Sequence, residues 1–193
     1  MFRLQLPTDP RWVHLATHDL QEILSDHAWC EQKAASSAIS LMVQFPDFPE
    51  LVAQMSALAQ EEMEHFQRVF AELQKRGLSL NRERKDAYVG ALLNFQQKGN
   101  TPQSRLRDKL LMAALIEARS CERFRLLSEQ LSDPDLKSFY RELMESEAGH
   151  YTLFISLARS LTGRTATDKR WQAWLDFEAD ILKQFSNGNG IHG

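Results

Sequence analysis

Apolar residues return at every third or fourth position along almost the whole of this 193-residue chain, and the alternation of a half-buried strand is absent. That period leaves one class of fold open, an all-α one. Prolines and glycines fall between the periodic segments and so mark their ends. A first helix is expected to begin between Thr17 and Asp19 and to run to Phe45, where Pro46 and Pro49 break the pattern. A second takes Pro49 into its first turn and stops at Gly77. A third opens at Thr101 with Pro102 as its first helical residue, and a fourth opens at Asp133 with Pro134 in the same role and ends at Gly163. Proline suits that position because its φ is already helical and its missing N–H would have had no helical partner. A fifth helix, over residues 167–185, gathers Trp171, Trp174, Phe177, Ile181 and Phe185 on one stripe that needs a packing partner. The Gly- and Asn-rich tail, 186–193, is expected to be flexible.

The joints set the topology. Those after the first and third helices are a few residues long, which forces antiparallel neighbours and hence two hairpins. The joint between the second and third helices, residues 77–101, is long enough to run back along a bundle and to hold a short helix over 83–97. The expected architecture is a four-helix bundle over about 15–163 with an added C-terminal helix, all within a single domain, 1–193. A chain of 22.3 kDa can bury roughly 70% of its unfolded surface, and a hydrophobic content of 43% is too high for disorder. No run approaches the ~20 apolar residues of a membrane span. The first residues, MFRLQLPTDPRW, lack the apolar core of a signal peptide, so the expectation is a cytoplasmic protein with no membrane partner. The two cysteines, Cys30 and Cys121, stand alone in helical patterns, which disfavours a disulfide framework or a thiolate zinc site.

Chemistry is concentrated in two Glu-x-x-His motifs, Glu62 with His65 and Glu147 with His150. A spacing of three places carboxylate and imidazole on one helix face, within reach of one ion. Either motif alone is weak evidence, because fifteen glutamates and six histidines generate such pairs by chance. The context adds weight. Glu31 precedes Glu62 by nearly the interval at which Glu117 precedes Glu147, so the two halves of the chain echo each other. Each glutamate is expected mid-helix, and each continues an apolar seam of step seven: Leu24, Glu31, Ala38; Met55, Glu62, Val69; Leu110, Glu117, Phe124; Tyr140, Glu147, Phe154. Four inward carboxylates need counter-charge, since each would otherwise cost several kcal/mol or take up a proton. Two divalent cations cancel four negative charges, and carboxylate with imidazole suits iron or manganese. Glu61, Glu64, Glu122, Glu142 and Glu145 lie off the seams and read as solvated acids, with Glu61 an alternative partner for a ligand histidine. His14, His18, His27 and His192 lack the motif and read as surface or packing residues.

Charge is unevenly divided. Residues 75–125 hold twelve Lys or Arg against five acids, although the chain's net charge is -3. Such asymmetry fits a polyanion partner, and equally a solvated face.

These features resemble those of the ferritin-like di-iron carboxylate superfamily. The stretches LATHDLQEILSDHAWCEQKAASSAISLM, ALAQEEMEHFQRV, LLMAALIEARSCERF and LMESEAGHYTLFISLA resemble more closely the tRNA hydroxylases that act on 2-methylthio-N6-isopentenyladenosine beside the anticodon. The resemblance implies a ferritin-like bundle with a single crossover. It also implies a di-iron centre that uses O2 as co-substrate to hydroxylate a terminal methyl of the isopentenyl group. By that analogy Glu31, Glu62 and His65 serve one iron ion and Glu117, Glu147 and His150 the other. The two electrons would come from an external reductase or ferredoxin. A tRNA anticodon loop would need phosphate contacts, for which Arg82, Arg84, Lys85, Lys98, Arg105 and Arg107 are the candidates. The alternatives are other ferritin-like di-iron activities (peroxidase, iron oxidation and storage, quinone hydroxylation) and a helical interaction module without metal.

Overall fold

Side chains and prolines at the helix ends position the elements. The computed structural model describes residues 2–97, 101–183 and 191, and among them all regular structure is helical. Seven helices follow in order: α1 Trp12–Thr17, α2 Leu20–Gln44, α3 Pro49–Lys75, α4 Ala87–Leu93, α5 Pro102–Gln130, α6 Pro134–Thr162 and α7 Arg164–Leu182. Asp19, Asp86, Thr101 and Asp133 each accept from a backbone N–H of the first turn that follows, at α2, α4, α5 and α6. Proline stands in the first turn of α3, α5 and α6. α3 ends in a paired cap: Leu78 N–H reaches the Leu73 carbonyl and Gly77 N–H the Gln74 carbonyl, both at 3.0 Å. Gly77 takes φ +68° there, a conformation that a side chain would disfavour.

The helices fall into two compact units. One, His14–Lys85 with Ile191, is built on the hairpin α2–α3. Its core is the facing apolar seams, among them Leu24, Ala28 and Ala38 from α2 with Met55, Val69 and Leu73 from α3. Beyond α3 the chain lies extended along α2 and parallel to it. Gln21, Ser25 and Trp29, one per helical turn, all hold Asn81, and Lys33 one turn further holds Arg84. Gln21 Nε2 donates to Asn81 Oδ1 at 2.7 Å, Asn81 N–H to Ser25 Oγ at 2.9 Å, Trp29 Nε1–H to the Asn81 carbonyl at 2.9 Å and Lys33 Nζ to the Arg84 carbonyl at 3.0 Å. Lys33 also pairs with Glu83 at 2.8 Å. Residues 83 and 84 are thus held extended, which is why the short helix expected over 83–97 begins only at the Asp86 cap.

The other unit takes the described residues of Met1–Val13 and of Asp86–Gly188. Its frame is the hairpin α5–α6, with α7 packed on both and on α4. Gly163, at φ +79°, caps α6 and starts α7, so α7 begins at Arg164, three residues ahead of the expected start. Trp171, Trp174 and Ile181 are buried as the stripe requires, Phe177 is half-buried, and Phe185 lies outside the described residues. Glu178 shares that buried face. It accepts from Arg119 Nη2 at 2.6 Å and from the Tyr88 hydroxyl at 3.1 Å, and Arg119 also donates to Glu122 at 2.5 Å, to Thr8 and to the Leu6 carbonyl. A second tie joins Arg170 of α7 to Asp108 of α5 through two hydrogen bonds, at 2.9 and 2.6 Å.

Helix α1 was not expected. Pro10 and the bond from Trp12 N–H to the Asp9 carbonyl start it, and burial of Trp12, Val13 and Ala16 stabilises it. The tail expected to be flexible lies outside the described residues apart from Ile191, which is buried and donates its N–H to Asp26 at 2.6 Å.

Candidate metal centre

Within the first unit, α2 contributes Glu31 and α3 contributes Glu62 and His65, all three mid-helix and buried. Each offers a ligand atom within 4.8 Å of those of the other two. Glu62 Oε2 lies 3.1 Å from His65 Nδ1, and Glu31 Oε2 lies 3.9 Å from the same nitrogen. Nδ1 is therefore the nitrogen turned toward the carboxylates. Nε2 faces away, 3.9 Å from Oε1 of the exposed Glu61, so the secondary role considered for Glu61 has matching placement, though not at hydrogen-bonding distance.

The second unit repeats the arrangement. Helix α5 contributes Glu117 and α6 contributes Glu147 and His150, again buried and with ligand atoms within 4.8 Å of one another. His150 Nδ1 lies 2.9 Å from Glu147 Oε2. All twelve residues of the four seams are buried, which supplies the apolar walls that such a group needs. Cys121, one turn beyond Glu117, donates to the Met144 carbonyl at 3.0 Å. Burial, and after it the charges of Glu147 and Glu117, push its thiol up to about 12, so it remains a protonated core residue at neutral pH.

The donor set fits divalent iron. Each unit offers two carboxylates and one imidazole in an apolar surround, a charge that one dication neutralises, with oxygen and nitrogen donors suited to iron or manganese. Sequence reasoning passed over His27. It is buried one turn ahead of Glu31 and its Nε2 lies 2.6 Å from Glu31 Oε1. The signal was the i, i+4 spacing of His27 and Glu31, hidden because His27 lacks the Glu-x-x-His form.

The phosphate candidates separate by placement. Arg82, Arg84 and Lys85 are exposed in the first unit, where Arg84 pairs with Glu22 at 2.7 Å and keeps 68% of its side chain exposed. Arg105 is exposed on α5, and Lys98 lies outside the described residues. Arg107 is buried instead, with Nη2 donating to Gln97 Oε1 at 3.2 Å. Arg119 and Arg123 are buried as well, so part of the basic run serves the interior. Glu61, Glu64, Glu142 and Glu145 are exposed, while Glu122 is half-buried and bound to Arg119 and Thr8. No helix of the described residues is long and apolar enough to cross a membrane.

The chain is similar to known proteins over most of its length. A solved structure, Protein 43 with aldehyde deformylating oxygenase activity from Synechococcus, superposes with a TM-score of 0.90 at 36% identity, covering 98% of this chain and 95% of that one. The fold is therefore ferritin-like. A tRNA 2-(methylsulfanyl)-N(6)-isopentenyladenosine(37) hydroxylase of Pseudomonas putida is 38% identical over 157 residues, which are 81% of this chain and 75% of that protein. One of the same name from Salmonella typhimurium is 28% identical across 93% of this chain and 83% of its own length. The family model described as tRNA-(MS[2]IO[6]A)-hydroxylase (MiaE) matches residues 2–193, and the chain belongs to that family of hydroxylating enzymes.

Proposed function

We propose that this enzyme inserts one oxygen atom of O2 into a terminal methyl of the isopentenyl group of 2-methylthio-N6-isopentenyladenosine in tRNA, with two iron ions as cofactor. In this reading residues 1–193 form one ferritin-like domain. Glu31, Glu62 and His65 would hold one ion and Glu117, Glu147 and His150 the other. The observation that carries it is the matched pair of buried half-sets, each with one glutamate from the first helix of a hairpin and a Glu-x-x-His from the second. When bound there, iron supplies the redox chemistry that activates O2. The chain's own residues position the ions, and the seam residues around them, Leu24, Met55, Leu110 and Phe154 among them, exclude water.

Hydroxylation consumes O2, two electrons and two protons, and releases water with the alcohol. An external reductase or ferredoxin delivers the electrons, and the cytoplasm, where tRNA is modified, is the compartment that suits the reaction. Arg82, Arg84, Lys85 and Arg105 are the phosphate contacts of this reading, which makes tRNA affinity fall as salt rises. In this reading a base of the anticodon loop is splayed so that its apolar tail can approach the metal centre.

Mass spectrometry of digested tRNA from cells with and without the gene tests the assignment. The hydroxylated isopentenyladenosine is expected to disappear on deletion and to return with the wild-type chain but not with Glu62→Ala. Unchanged nucleosides would remove tRNA as the substrate. The likeness to the Synechococcus protein favours one second reading, attack on an aldehyde. Purified, reduced enzyme supplied with an aldehyde and O2 distinguishes it by loss of the aldehyde carbon.

A further inference from the structure

The two oxygens of Glu31 have different surroundings. Oε1 lies 2.6 Å from His27 Nε2, whereas Oε2 lies on the side of His65 Nδ1, at 3.9 Å. Both side chains are buried, His27 at 0% exposure and Glu31 at 5%. An ionised carboxylate has no proton to give, so Nε2 carries the hydrogen and donates it. A short N–H···O bond of that kind, out of water, is among the stronger ones a side chain makes. It ties Glu31 to its own helix one turn back and restrains rotation of the carboxylate.

We propose that His27 is a positioning residue that makes Glu31 a one-oxygen ligand. With Oε1 engaged by the imidazole, Oε2 is the atom left for the ion that Glu31 shares with Glu62 and His65, and Glu31 is kept from chelating or bridging. The proposal rests on the di-iron reading and deepens it. The same position on α5, one turn ahead of Glu117, is Ala113, whose methyl brings no hydrogen-bonding group, so this device belongs to one half of the centre. Its effect falls on one ion and leaves the other with its own donors.

The full-length apoprotein, titrated anaerobically with Fe(II) and then examined as 57Fe-loaded protein by Mössbauer spectroscopy, tests this without reference to turnover. The wild type is expected to take up two ions. His27→Ala is expected to weaken one of the two binding steps by roughly tenfold to a hundredfold and to leave the other in place. In the spectrum one iron environment changes and one does not. His27→Gln, which keeps a side-chain N–H donor, is expected to recover most of the lost affinity. Circular dichroism melts establish that each variant is folded. If His27→Ala does not fold, His27→Gln decides alone, through a change confined to one iron environment. Binding steps and spectra that match the wild type, or two steps weakened alike in a folded variant, would overturn the role of His27. A folded wild-type chain that binds no iron overturns the di-iron reading itself, which separates the two failures.

Discussion

Arg119 and Glu178 are both fully buried, and neither charge would be tolerated there alone. Burial opposes the Arg119 charge, but the oxygens of Glu178, Tyr88 and Glu122 outweigh it and hold the guanidinium above its ordinary value. Burial first, and then the Glu178 carboxylate, raise Tyr88 well above 10. That shift has a sign for stability. The native state keeps the Tyr88 proton at a pH where the unfolded chain releases it, so the contribution is complete below pH 10 and is lost as pH rises beyond it. Cys121 acts in the same direction from 9 toward about 12. Urea denaturation followed from pH 8.5 upward is expected to show a falling midpoint, at up to ~1.4 kcal/mol per pH unit from Tyr88 above pH 10. Tyr88→Phe should flatten that part of the curve, and an unaltered profile would contradict the assignment. None of this network was legible in the sequence. The burial of the four glutamates was, because each sits on an apolar seam whose period exposes a charged intruder, and His65 and His150 follow two of them by three residues. Arg119 and Glu178 are 59 residues apart and meet only through packing, so the arginine read as one more surface cation. His27 was missed for another reason. It lacks the Glu-x-x-His form, and its partner is a carboxylate one turn further along the same helix.

At the scale of the element, helix boundaries were the most readable feature, since Asp19, Thr101, Asp133 and three prolines write them in local chemistry. The exceptions have tertiary causes. α1 has too few residues for a period to show, and it persists because Trp12 and Val13 are buried. α4 is shorter than its composition suggests because bonds from α2 hold the preceding residues extended. The early start of α7 follows from the positive φ of Gly163, which turns the chain with no linker.

For the molecule as a whole, the proposed metal centre predicts a stability that depends on metal. Ions that bind only the folded chain stabilise it by about 2.7 kcal/mol each when present at roughly a hundred times their dissociation constant. For a protein of this size that corresponds to a rise in melting temperature on the order of 5–10 °C per ion. An anaerobic melt with and without Fe(II) measures it. The expected gain is lost in Glu31→Ala and Glu147→Ala, and a melting temperature insensitive to iron in the wild type would count against the centre. Charge balance was the clue to this prediction in the sequence, because four inward acids call for counter-charge. The basic run was the less faithful clue. It predicted a surface, and the structure takes Arg107, Arg119 and Arg123 inside.

The extended stretch lying on α2 carries a metric constraint. Gln21, Ser25 and Trp29, spaced one helical turn apart, all converge on the single residue Asn81, and Lys33 one turn further on holds Arg84, so the stretch is pinned chiefly at one point. Asn81 is the post to which the passing chain is tied. Surface connections ordinarily accept an added or missing residue. This one is expected not to: deleting Leu80 or inserting a glycine after it shifts Asn81 away from Gln21, Ser25 and Trp29 on α2. Limited proteolysis should then cut between residues 78 and 85, where the intact chain resists, while the same insertion at Gly163 leaves that segment protected.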